Sequence, residues 1–234
     1  RADIGFRGQA EDALELAGAF GAALPAKLAG GLEARATLGA DVATTRSWEA
    51  LKQALRPSAE ARFAGLRLEN ERLPAPVEFT TGTLRYDGTV LAAGGVVCRF
   101  VESEALLSGE VRSDSLHALA KGAARSGAVD WRVGGRLEDF LAFAHAAGIA
   151  LEARGAGKAS AEGKAAFDFD GDAPLRPNLD ALRIEGLARF DGASLEHPAL
   201  PSPLTDIRGV ARGNPRRLEF EQLRASALGS ALEA

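Results

Sequence analysis

The side chains that most suggest chemistry in this sequence are Asp168, Asp170 and Asp172, with Gly171 between the last two. Alternating aspartates are typical of the start of a calcium-binding loop, where carboxylate oxygens ligate the ion. The Asp/Asn-Gly pair and the distal glutamate that close such a loop are not at the required spacing. We therefore interpret this segment as a solvated turn.

Adjacent carboxylates occur twice, as Glu11-Asp12 and Glu138-Asp139. Both pairs are expected in the first turn of a helix, where the helix dipole favours negative charge. Neighbouring helical positions do not face each other, so neither pair is arranged for acid–base catalysis. The sequence predicts a structural role for both.

No other residues form a recognisable catalytic or metal site. His117, His145 and His197 have no Cys, His or acidic neighbour at metal-ligand spacing. The Gly-Ala-Gly run at residues 155–157 lacks the Lys-Ser/Thr of a phosphate loop, and no Gly-x-Ser-x-Gly motif is present. We predict that the chain is not an enzyme and has no catalytic, cofactor-binding or metal-binding residues.

The composition excludes further classes of protein. Hydrophobic residues make up 46% of the 234 residues, which indicates a folded chain, and the formal net charge is −4. Basic residues are scattered among acids and do not form the clusters that nucleic-acid binding needs. Cys98 is the single cysteine, so no internal disulfide can form, and its apolar neighbours predict that it is buried. No apolar run approaches the length of a membrane span.

An internal repeat is the strongest pattern in the chain. Ala-Arg-Phe-Ala-Gly at residues 61–65 recurs as Ala-Arg-Phe-Asp-Gly at residues 188–192, 127 positions later. At the same offset, Leu-Pro-Ala-Pro at residues 73–76 recurs as Leu-Pro-Ser-Pro at residues 200–203. Fixed-period repeats are typical of stacked architectures. The sequence predicts two units, residues 1–127 and 128–234, the second of them truncated at its C-terminus.

Hydrophobic periodicity predicts the elements within each unit. Apolar spacing predicts a helix at about residues 10–22 in the first unit and 136–147 in the second. Most of the rest alternates between apolar and polar residues, which is typical of strands with one wet face. The predicted fold class is mainly β with a few short helices (α+β). The expected form is a curled antiparallel sheet, built from two tandem repeats, that forms an open groove.

The apolar positions of this alternation are predicted to line the groove. Many of them are small, which would leave space above the sheet, and bulky substitutions at Ala153 or Gly157 are expected to block it. The predicted lining residues are Leu32, Ala34, Ala36, Leu38, Leu151, Ala153, Gly155, Gly157, Ala159, Phe167 and Phe169.

The segment at residues 186–209 resembles the repeat signature of the AsmA-like family. It has a Gly-x-aromatic strand, a small-residue turn, a Leu-Pro step and then Leu-Thr-Asp leading into a Gly-bearing strand. Residues 218–225 look like the next strand of that family. The first unit resembles the signature less well, because residues 78–80 read Glu-Phe-Thr where residues 205–207 read Thr-Asp-Ile.

This resemblance implies a cell-envelope protein of diderm bacteria, anchored in the inner membrane by an N-terminal helix outside these residues. It implies a periplasmic groove that carries or scaffolds phospholipid toward the outer membrane, with acyl chains and adjacent repeats as partners. Two alternatives stay open. One is a purely structural or adhesive β-repeat with a dry core, and the other is an accessory domain of an envelope enzyme.

Overall fold

Alternating apolar and polar residues make most of this chain extended. The computed structural model describes residues 2–12, 15, 27–40, 55–71, 73–113, 125–146, 152–168, 182–214, 217–228 and 230–233. The described strands are β1 Ala2–Gln9, β2 Lys27–Ala40, β3 Leu55–Glu69, β4 Val77–Tyr86, β5 Val90–Phe100, β6 Ser103–Arg112, β7 Ser126–Arg136, β8 Arg154–Asp168, β9 Leu182–Glu196, β10 Leu204–Asn214, β11 Arg217–Ala227 and β12 Ser230–Glu233. Helix α1, Leu137–Ala146, follows β7, and residues 10–12 are helical.

The strands form one sheet in which spatial order follows chain order. Each strand pairs antiparallel with the next, from β1 to β12. The two outermost strands lie at opposite edges, so the sheet is open within the described residues. The prediction of a mainly β chain with an antiparallel sheet is confirmed. Helix α1 falls within the predicted range of 136–147, while most of the range 10–22 lies outside the described residues.

The register places apolar side chains on one face and charged ones on the other, because directly opposed residues share a face. Phe63 of β3 is opposite Leu32 of β2 and Gly82 of β4. Its neighbour Arg62 is opposite Glu33 and, on the other side, a threonine. We call these two surfaces the apolar face and the charged face.

The elements and their irregularities recur at the 127-residue offset of the sequence. Strand β3 begins at Leu55 and β9 at Leu182, and both contain fifteen residues. Left-handed backbone also recurs at this offset in four pairs: Gly30 and Gly157, Gly65 and Gly192, Gly95 and Gln222, Val101 and Leu228. Gly30 and Gly157 lie at register shifts between β2 and β3 and between β8 and β9.

Helix α1 packs on the apolar face at one end of the strands. The Phe100 ring lies 4.4 Å from Phe143 and 5.9 Å from Phe140, measured between ring centroids. Val77 and Cys98 are buried in the same cluster. Burial raises the pKa of the Cys98 thiol, which therefore stays neutral. The predicted burial of Cys98 is confirmed.

The turn between β5 and β6 holds a strained residue. Val101 has φ of 54° and is 67% exposed. A β-branched residue is an outlier in this region, whereas asparagine adopts it readily. We expect Val101→Asn to raise the free energy of unfolding by about 1 kcal/mol, as measured by urea denaturation. Val101→Ala, which keeps a Cβ but loses the branch, should gain less stability than Val101→Asn. A loss of stability in Val101→Asn would contradict the strain at this position.

Candidate functional site

One extended feature of the apolar face is a row of directly opposed apolar residues, one from each strand from β1 to β9. Every member is half-buried, and most are small or medium in size. We call it the apolar row: Phe6, Ala34, Ala61, Leu84, Ala93, Gly109, Val129, Ala165 and Ile184. No polar side chain interrupts it, so it presents a continuous strip of apolar atoms across most of the sheet.

The part of the apolar face nearest the helical segments is covered instead. Phe63, Leu66 and Val96 form a buried cluster with Ala10, the first helical residue after β1. Around this cluster the face is therefore packed. Leu84 and Ala93 of the apolar row pack against the cluster, so the row borders this packed zone.

The charged face carries ion pairs along the sheet. Glu60 lies 3.0 Å from Arg62 and 3.7 Å from Arg85, measured between oxygen and nitrogen. Hydrogen bonding from Arg62, followed by the charge of Arg85, lowers the pKa of Glu60. Glu162 likewise bridges Arg189 and Arg132, and its pKa is lowered chiefly by the hydrogen bond from Arg189. These exposed ion pairs keep this face polar and solvated, and each contributes little to the stability of the fold.

The acidic pair at the start of α1 binds neighbouring strands. Asp139 is buried, and its Oδ2 accepts hydrogen bonds from Ser103 Oγ at 2.7 Å and from the Glu102 N–H at 3.2 Å. Ser103 Oγ in turn accepts the Arg136 N–H at 2.9 Å. We call this arrangement the serine–aspartate contact. It ties the β5–β6 turn to the end of β7 and to α1.

The carboxylate of Glu138 also makes structural contacts. Its Oε2 accepts the Gly157 N–H at 3.1 Å, and its carboxylate pairs with Arg136. Its own backbone N–H, then Arg136, lower its pKa. Both acids therefore hold backbone groups and a guanidinium, which supports the structural role predicted for them.

The predicted lining residues of the first unit lie in β2. Leu32 and Ala34 are half-buried on the apolar face, and Ala36 is exposed opposite Ala59. Leu38 is opposite residues 2 and 57 in the register. All four positions lie in β2 at every second residue.

The predicted lining residues of the second unit lie in different structural environments. Ala159 and Phe167 are half-buried in β8, and Ala153 is half-buried just before that strand. Gly155 lies under α1, because a Cβ there would be 2.6 Å from Leu137 Cδ2. Gly157 has a left-handed backbone conformation, and a Cβ there would lie against backbone atoms of β9. Leu151 and Phe169 lie outside the described residues.

Most of the apolar row was not among the predicted lining residues. Phe6, Leu84, Val129 and Ile184 belong to strands with the same two-residue alternation, so the signal was present in the sequence. Their direct opposition depends on strand pairing and on bulges between Thr81 and Thr83 and between Ala93 and Val96, which alternation alone does not locate.

The described residues contain no group of three or more His, Cys, Asp or Glu side chains placed to hold a metal ion. His197 Nδ1 accepts the Ala199 N–H and so stabilises a turn. Asp168 is exposed at the end of β8, while residues 170–172 and 117 are not described. In the described part of the chain, no helix is long and apolar enough to cross a membrane.

No family model, curated protein or solved structure matches this chain. The resemblance to the AsmA-like family therefore stays a prediction from the sequence.

Proposed function

We propose that this chain is a non-enzymatic segment of a cell-envelope protein that carries phospholipid along the apolar face of its sheet. The observation that carries the proposal is the apolar row, which is continuous from β1 to β9 and half-buried at every position. In this proposal the acyl chains lie on the row and the headgroups reach water. The setting is the periplasm, in a protein anchored in the inner membrane that serves outer-membrane biogenesis.

The dimensions of the row support this function. Adjacent strands lie about 4.8 Å apart, so the row spans roughly 38 Å. One acyl chain occupies about half of a bilayer core, roughly 15 Å, which is well within that span. Each CH₂ group removed from water gains about 0.8 kcal/mol, so binding along the row needs no specific polar contact.

The bulges support a curled sheet. Register shifts recur between β2 and β3, β4 and β5, β5 and β6, and β8 and β9. A bulge bends its strand and increases the local twist. We propose that these bends curl the two units, residues 1–127 and 128–234, around the apolar face into an open groove, with adjacent repeats as neighbours.

A second candidate function is a structural repeat whose apolar face is dry. The packing of α1 against Phe100 supports it, because that end of the face is already filled by Phe140 and Phe143. The two functions differ in what covers the half-buried apolar row, of which Leu84 and Ala93 already pack against the cluster around Phe63.

A substitution on the row tests the lipid proposal. Ala165 lies in the row, between Val129 and Ile184, while its neighbour Lys164 points to the charged face beside Asp130. We expect Ala165→Trp to weaken binding of a phospholipid with a fluorescent acyl chain about tenfold. Lys164→Trp, which adds the same bulk to the same strand on the other face, should bind like the unsubstituted chain.

Mass spectrometry of organic extracts provides the independent measurement. Phospholipid should copurify with the unsubstituted chain above the level in a mock-purified unrelated protein. A clean extract from folded protein, or equal binding by both tryptophan variants, would contradict the lipid function; the dry structural repeat would then be the better account.

A further inference from the structure

The indole ring of Trp131 lies across two neighbouring strands on the apolar face. In the register, Trp131 of β7 is opposite Gly163 of β8, which is opposite Gly186 of β9. A Cβ at Gly163 would lie 2.8 Å from Trp131 Cζ2, and a Cβ at Gly186 would lie 3.3 Å from the same atom. The ring therefore passes over Gly163 and reaches Gly186, so it lies along the sheet and does not stand up from it. We call these three residues the indole platform.

The first unit has different side chains at the positions of the indole platform. At the 127-residue offset, the equivalent positions, which are also directly opposed, hold Ile4, Ala36 and Ala59. A large aromatic side chain thus occurs with two glycines, and a smaller aliphatic one with two alanines. A Cβ at either glycine would be closer to the ring than an ordinary van der Waals contact. The two glycines therefore make the room that the ring occupies, and the platform is a feature of the second unit.

The indole platform lies between the helix-covered part of the apolar face and the apolar row. Two residues further along β7, Val133 packs against the cluster that contains Phe100 and the two phenylalanines of α1. Two residues back, Val129 belongs to the apolar row and is continued by the row members of β8 and β9. Trp131 itself is half-buried, so part of its side chain is accessible. A molecule lying on this part of the row has the indole directly beside it.

We infer that Trp131 contacts an acyl chain of the bound phospholipid, so that one acyl chain lies over β7, β8 and β9. The inference rests on the proposed lipid function and specifies where on the apolar face the lipid lies. An indole offers a large and rigid apolar surface. Its contact with an acyl chain removes apolar surface of both partners from water, which stabilises the complex without a polar bond.

Brominated phospholipid tests this contact without changing Trp131. The chain contains two tryptophans, so Trp48→Phe leaves Trp131 as its single indole fluorophore. Bromine quenches tryptophan emission only at close range. We expect phosphatidylglycerol that is brominated midway along one acyl chain to quench most of the Trp131 emission, whereas the same lipid without bromine should not. If Trp48→Phe does not fold, the difference in quenching between the unsubstituted chain and Trp131→Phe gives the same information.

Substitution of Trp131 measures how much the contact contributes to binding. We expect Trp131→Ala to weaken binding of a phospholipid with a fluorescent acyl chain about tenfold, because the apolar contact area is lost. Trp131→Phe keeps an aromatic ring and should lose less affinity. Arg132→Ala is the matched control, since the adjacent Arg132 lies on the charged face, 3.1 Å from Glu162. Circular dichroism checks that each variant is folded.

The outcomes separate this inference from the lipid function itself. If the fluorescent phospholipid binds but brominated lipid leaves the Trp131 emission unchanged, the inference is overturned while the lipid function stands. Equal affinities of Trp131→Ala and Arg132→Ala would have the same meaning, and the indole would then only fill the space above the two glycines. If neither lipid binds the folded chain, both the inference and the proposed function are wrong.

Discussion

Gly157→Ala is expected to lower the free energy of unfolding by about 3 kcal/mol. Left-handed backbone costs a residue with a Cβ about 1–2 kcal/mol, and Gly157 has φ of 97°. In addition, the new Cβ would lie 2.7 Å from Gly192 O and 2.8 Å from Ala193 Cα. These are backbone atoms of β9, so the strand itself must move. Urea denaturation followed by circular dichroism measures the loss.

Gly5→Ala is the matched control for this substitution. Gly5 also lies in a strand, but a Cβ there meets nothing within 4 Å. Its stability should stay within about 0.5 kcal/mol of the unsubstituted chain. Equal losses in both variants would contradict this account, because the new side chain at Gly5 makes no contact with a neighbouring strand. Gly157 is therefore unsuitable for the bulky substitution that the sequence suggested for blocking a groove.

Asp139→Ala should also destabilise the chain by about 3 kcal/mol. The buried carboxylate accepts from Ser103 Oγ and from the Glu102 N–H, and its loss leaves both donors without that acceptor. An unsatisfied buried polar group costs about 1–3 kcal/mol. Asp139→Asn keeps an acceptor oxygen and should lose less. Thermal and urea unfolding of the same samples measure the difference.

Asp130→Ala provides the comparison with an aspartate on the charged face. Asp130 lies 3.3 Å from Lys164 in an exposed ion pair, which is worth no more than about 1 kcal/mol. If the two alanine variants unfolded at the same urea concentration, the serine–aspartate contact would not be what holds α1 to β6. If Asp139→Ala were the least stable variant, Asp139→Asn intermediate and Asp130→Ala the most stable, this order would support a stabilising role for the serine–aspartate contact.

The internal repeat predicted more of the backbone conformation than the amino-acid composition of the chain did. The equivalence of residues 61–65 and 188–192 anticipated that Gly65 and Gly192 occupy matching positions, and both are left-handed in β3 and β9. A glycine in a recurring turn or bulge reports a backbone requirement, which is local and therefore visible in the sequence. The role of Val101 had no such signal, because its side chain does not favour its conformation.

The candidate site was predicted less completely than the fold. Alternation identified Leu32 and Ala34 as members of one face of β2, and the structure places both there. It also grouped Gly155 with them, although Leu137 covers Gly155. Alternation assigns a residue to a face of its strand, but it carries no information about which helix lies on that face.

The sequence by itself determined the antiparallel β class of this chain, because a period of two is a property of neighbouring residues and needs no distant partner. Only the tertiary structure decided which apolar residues are covered and which remain open. Ala105 is buried because β7 and α1, more than twenty residues later, pack against its surroundings, whereas Ala36 has the same side chain and is exposed. Coverage depends on contacts between segments far apart in the chain, and these exist only once the strands have paired and the serine–aspartate contact has placed the helix.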